Sequence, residues 1–87
     1  MVQSIVAVDS KTGSGLITFF INVDGQGCNE DFSVTIDGQT FTNHISHGAE
    51  DNPAGSIQTT KGGVGDRSIV VTAVTSNVSS TARLINL

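Results

Sequence analysis

The sequence predicts an all-β domain: a two-sheet antiparallel β-sandwich of about seven short strands. Apolar and polar residues alternate with period two in residues 32–36 and 68–74. Turn chemistry recurs between such runs, most clearly at Asp37-Gly38. β-Branched residues and glycine are abundant while helix formers are scarce, and 87 residues suit one domain with one modest core. No internal repeat or domain boundary interrupts residues 1–87.

Taken in order, residues 2–8 form a first strand, followed by a polar turn over residues 9–15, where Gly13 and Gly15 permit positive φ. Leu16–Val23 is a second strand. Ile17, Phe19, Ile21 and Val23 line one face, and Leu16 and Phe20 put apolar groups on the other, as in a central strand. Residues 24–31 are polar and broken by Gly25 and Gly27, which reads as a surface loop. Phe32, Val34 and Ile36 then alternate with Ser33 and Thr35, and Asp37-Gly38 closes a hairpin whose second strand is residues 39–45. Asn52-Pro53 makes residues 47–55 a long loop or irregular edge, with a short strand at 57–60. Residues 61–66, with Gly62, Gly63 and Gly65, read as the most flexible stretch. In the last hairpin Ile69, Val71 and Ala73 face one way, Ser76, Asn77, Ser79 and Ser80 form the knuckle, and residues 81–87 return.

The segment SIVVTAVTSNVSSTARLINL, residues 68–87, resembles the last two strands of immunoglobulin-like domains found in bacterial surface proteins and phage virion proteins. VTIDGQTFTN, residues 34–43, is similar to a middle hairpin of the same modules. The resemblance implies an immunoglobulin-like β-sandwich. The Cys…Trp…Cys framework and the tyrosine corner of antibody domains are absent, as they are in bacterial and phage versions of the fold.

Composition excludes several function classes. A formal charge of −4, from 4 basic and 8 acidic residues, repels nucleic acid. There is no Trp or Tyr to stack on bases or sugars, and Phe19, Phe20, Phe32 and Phe41 are assigned to the core. No stretch approaches the roughly 20 apolar residues of a membrane helix, so no membrane partner is expected. The single cysteine, Cys28, cannot close an internal disulfide, and acidic neighbours should raise its thiol pKa and leave it inert.

Candidate chemistry is sparse. His44, His47, Glu50 and Asp51 form the one cluster of metal-ligand types, but an extended strand sends residues 44 and 47 to opposite faces. Asp24, Asn29, Glu30 and Asp31 offer oxygens to a cation or a binding partner, yet match no calcium-loop spacing. Catalysis through Cys28 or a serine would need His44 or His47 beside it, and no spacing supplies that. No GxSxG elbow or phosphate loop is present, and Asn77-Val78-Ser79 is read as a turn rather than a glycosylation site. Lys61, Arg67 and Arg83 are too few for a basic patch.

The reading is therefore a non-enzymatic module without catalytic, cofactor or metal site. Its Ser/Thr-rich outer faces should dock on a protein assembly, a phage capsid or tail surface as a decoration protein. A carbohydrate- or receptor-binding adhesion module, using residues 24–31 and 47–55, is the alternative. A chain opening at Met1 without a leader fits a standalone component of a virion or extracellular surface. Edge strands such as residues 2–8 leave homo-oligomers open.

Overall fold

The computed structural model describes residues 1–7, 10–11, 15–59 and 67–86. Strands are β1 (Val2–Ala7), β2 (Ser10–Lys11), β3 (Leu16–Val23), β4 (Cys28–Ile36), β5 (Gln39–His47), β6 (Ala54–Gln58), β7 (Arg67–Ala73) and β8 (Val78–Asn86). The smaller sheet has the order β1-β3-β6 and the larger β2-β8-β7-β4-β5. The seven long strands thus form a small two-sheet antiparallel sandwich, the first, third and sixth elements on one sheet and the fourth, fifth, seventh and eighth on the other. All their pairings are antiparallel; the short β2 lies parallel to β8, Ser10 opposite Ile85.

Alternation decides which side chains meet between the sheets. Ile17, Phe19 and Ile21 of β3 and Ile57 of β6 oppose Phe32, Val34 and Ile36 of β4 and Ile69, Val71 and Ala73 of β7, all at most 1% exposed. The Phe19 and Phe32 rings meet across the gap with centroids 5.6 Å apart and planes tilted by 30°. The β4–β5 hairpin forms as its sequence dictates. Asp37 (φ 51°) and Gly38 (φ 77°) take the paired left-handed conformation of a type I′ turn, and register runs from Ile36 opposite Gln39 to Cys28 opposite His47.

Several local expectations are corrected. Ser10 and Lys11, read as turn, pair with β8, because the chain passes there from the edge of one sheet to the edge of the other. Cys28, Asn29, Glu30 and Asp31, read as loop, open β4; only residues 24–27 turn, with Gly27 at φ +72°. A Cβ at Gly27 would lie 2.3 Å from the His47 carbonyl oxygen, so this glycine lets β4 start close under the end of β5. Phe20, assigned to the core, is 43% exposed: β3 is central in its sheet, but no layer covers the sheet's outer face among the described residues. Ser79 and Ser80 belong to β8, the turn being residues 74–77 with Asn77 at φ 56°. The remaining phenylalanine, Phe41, is half-buried against the core. The strand expected at 57–60 is displaced: β6 begins at Ala54, inside the stretch read as loop, and ends at Gln58, while Thr60 and the glycine-rich stretch 61–66 lie outside the described residues.

No helix among the described residues is long and apolar enough to cross a membrane.

Candidate functional site

The outer face of the larger sheet is built by the side chains that alternation turns away from the core. Register places them in rows across four strands. One row is Thr40, Thr35, Val70 and Thr81; the next is Thr42, Ser33, Thr72 and Ser79. Short hydroxyl contacts knit neighbours, Thr35 Oγ1 to Thr40 Oγ1 at 3.2 Å and Thr72 Oγ1 to Ser79 Oγ at 2.9 Å. Val70, 37% exposed, is the apolar member. The two rows are uncharged, so a partner could lie on them without desolvating an ion. Arg83, opposite Ser68, sits at one end of this face.

At the other end stands a polar cluster. His44 and Asp31 are cross-strand partners, with His44 Nδ1 2.8 Å from Asp31 Oδ1 and Nε2 2.6 Å from Asn29 Oδ1. Of the binding candidates in residues 24–31, Asn29 and Asp31 therefore share one surface. The other two do not join them. Glu30 points inward, 6% exposed, where its carboxylate accepts the Ser76 N–H at 2.9 Å and the Ser76 hydroxyl at 2.5 Å. Asp24 accepts the N-terminal ammonium and the Gln26 N–H, the latter at 2.9 Å.

The metal-ligand candidates separate as strand geometry requires. His44 lies on the outer face. His47, on the inner face at the sheet edge, contacts Glu50 Oε1 through Nδ1 at 2.6 Å and donates from Nε2 to the Ala54 carbonyl at 2.8 Å. Asp51 is exposed in the following loop. Among the described residues no three His, Cys, Asp or Glu side chains converge on a point that could hold an ion. Of the basic candidates, Lys61 and the Arg67 side chain lie outside the described residues.

The structure brings together one pair that no spacing revealed: Cys28 lies directly opposite His47 on the same face. Both ring nitrogens of His47 are committed, to Glu50 and to Ala54, so neither is aimed at the sulfur. Burial pushes the Cys28 thiol up, a backbone hydrogen bond from His47 opposes this, and the negative charges of Glu30 and Glu50 add to it. The direction agrees with the expectation from sequence, but burial outweighs the acidic neighbours as its cause. At neutral pH the folded protein should react slowly with a thiol-specific disulfide reagent, and at the rate of a free cysteine once denatured. Equal rates in both states would contradict a buried, protonated sulfur.

Asp24 carries a pH dependence. The hydrogen bond from the N-terminal ammonium, then that from Gln26, hold its carboxyl below the ordinary carboxylate range. A carboxyl depressed in the folded state contributes stability above its unfolded pKa of about 3.9 and loses it as pH falls through the folded value. Denaturation midpoints compared between wild type and Asp24→Asn should therefore converge as the solution is acidified. A constant gap across the acid range would contradict this.

A second exposed surface was not anticipated. On the outer face of the smaller sheet Val6, 61% exposed, lies opposite Phe20, and Phe20 opposite the exposed Ala54. The signal available in the sequence was the double-sided apolar character of β3, which alternation alone cannot distinguish from a strand covered on both faces. No family model, curated protein or solved structure matches this chain.

Proposed function

We propose that the protein is a non-enzymatic interaction module that docks through the outer face of its larger sheet onto a larger protein assembly, with a phage capsid or tail surface the assembly that best fits it. The carrying observation is the uncharged hydroxyl array of Thr35, Thr40, Thr42, Ser33, Thr72, Thr81 and Ser79 around Val70. Backbone pairing holds these groups in fixed rows, so little conformational entropy is lost when a partner covers them. The fold resemblance of residues 34–43 and 68–87 to phage virion and bacterial surface modules supports the choice of assembly. The test is recovery of the chain with purified virions, using Thr72→Arg on the docking face and Ser4→Arg on the opposite sheet as control. Loss of recovery with Thr72→Arg alone supports the reading. Absence of the wild-type chain from the particles, or attachment through a wet contact below about 800 Å², would end it.

The adhesion reading is favoured by one observation, the outward-facing Phe20 beside Val6, which supplies an aromatic face for a sugar ring. Glycan-array binding abolished by Phe20→Ala and untouched by Thr72→Arg would select it over the first.

A further inference from the structure

Four strands stand at open edges of the two sheets: β1 and β6 in the smaller, β2 and β5 in the larger. Open edges invite another chain, and three of these are blunted. The register of β1 is broken between Val2 and Ser4, and β2 is only 2 residues long. β6 follows Pro53, and two of its carbonyls are capped by side chains, Ala54 by His47 Nε2 at 2.8 Å and Ser56 by Asn43 Nδ2 at 2.9 Å. Among the described residues β5 has no such protection. Its 9 residues pair with β4 without a register break, and QTFTNHISH contains no proline, lysine, arginine or carboxylate.

The two-residue turn at Asp37-Gly38 makes Ile36 and Gln39 a hydrogen-bonded pair, so backbone groups of Phe41, Asn43, Ile45 and His47 turn toward β4. Those of Thr40, Thr42, His44 and Ser46 turn away from it. We propose that β5 is a self-pairing edge, and that two copies of this chain join antiparallel about a two-fold axis through Asn43. In that register Thr42 of one copy faces His44 of the other and Thr40 faces Ser46, each pair exchanging both backbone hydrogen bonds. On the inner side Phe41 faces Ile45, an aromatic and β-branched pair of the kind that stabilises strand pairing, and Gln39 faces His47. The symmetry repeats every contact, so the surface is complementary to itself. Sliding the register by two residues sets Phe41 against Asn43 and shortens the ladder. This pairing leaves the hydroxyl face of the larger sheet open, so it stands independently of the docking reading.

Sedimentation of the full chain, whose monomer is 9.0 kDa, should give the mass of a dimer. Thr42→Pro removes an amide donor that points away from β4, a position where an edge strand tolerates proline. It should shift the species to the monomer mass with an unchanged far-ultraviolet circular dichroism spectrum. Asn43→Cys places two sulfurs on the axis at a non-hydrogen-bonded pair, where Cα atoms lie about 4.5 Å apart, within disulfide reach. It should oxidise to a covalent dimer, whereas Gln58→Cys on the capped β6 edge should not. A wild-type monomer at every concentration would overturn the proposal. So would a folded Thr42→Pro variant that remains dimeric, or equal cross-linking of both cysteine variants. Should Thr42→Pro fail to fold, the two cysteine variants decide.

Discussion

Replacing Phe32 with alanine should lower the unfolding free energy by about 3–5 kcal/mol, the range for truncating a fully buried aromatic ring. Phe32 is 0% exposed, sits on β4 between β5 and β7, and meets Phe19 of the opposite sheet at 5.6 Å. Its removal opens a cavity where the sheets touch, and neighbours held by strand pairing on both sides can close it only in part. Small domains are stable by roughly 5–15 kcal/mol, so this one change consumes a large fraction of the total. Phe32→Leu, which keeps much of the volume, should lose markedly less. The measurement is chemical denaturation with an unchanged slope and a lowered midpoint. A loss below about 1 kcal/mol would mean that the sheets are not held by this contact.

Glu30→Ala should cost about 2–3 kcal/mol, for a reason no hydrophobic scale contains. The buried carboxylate accepts two hydrogen bonds from Ser76, through the N–H at 2.9 Å and the hydroxyl at 2.5 Å. Ser76 Oγ in turn accepts the Val2 N–H at 3.2 Å. One side chain thus ties the start of β4 to the β7–β8 turn and, through Ser76, to β1. Alanine leaves the Ser76 donors without their acceptor in a half-buried site, whereas Glu30→Gln keeps one carbonyl oxygen and should lose less. Amide hydrogen exchange at Ser76 should accelerate in the alanine variant in step with the loss of stability. Unchanged exchange would show that Glu30 does not hold the turn.

The two predictions differ in how visible their residues were. Phe32 was legible because it opens a period-2 run that ends in a turn dipeptide, and pairing, face and burial follow from that local pattern. Glu30 was misplaced in a surface loop. Its acidic neighbours and the preceding Gly25 and Gly27 have loop composition, and the partner that makes its burial tolerable lies 46 residues away. Ser79 and Ser80 were misread for a related reason: Ser79 lies on the outer face opposite Thr72 and Ser80 on the inner side opposite Val71, and polar strand residues look the same as turn residues until the closing pair is known. The two histidines face apart because β5 continues to His47, two residues past the strand expected at 39–45, so the condition of an extended strand is met. That His44 would meet Asn29 and Asp31 required β4 to begin at Cys28.

Alternation and turn chemistry by themselves determined that the chain is all-β, that it turns back at Asp37-Gly38 and again within residues 68–86, and which side chains of Phe32–Ile36 and Ile69–Ala73 point inward, because those preferences act between residues a few positions apart. Tertiary structure alone decided that β2 crosses to the larger sheet, that Cys28 meets His47, and that, among the described residues, Phe20 stays uncovered and β5 is left as the unguarded edge. Each of these depends on which strands become neighbours, and that choice is made by burial and pairing summed over the whole chain.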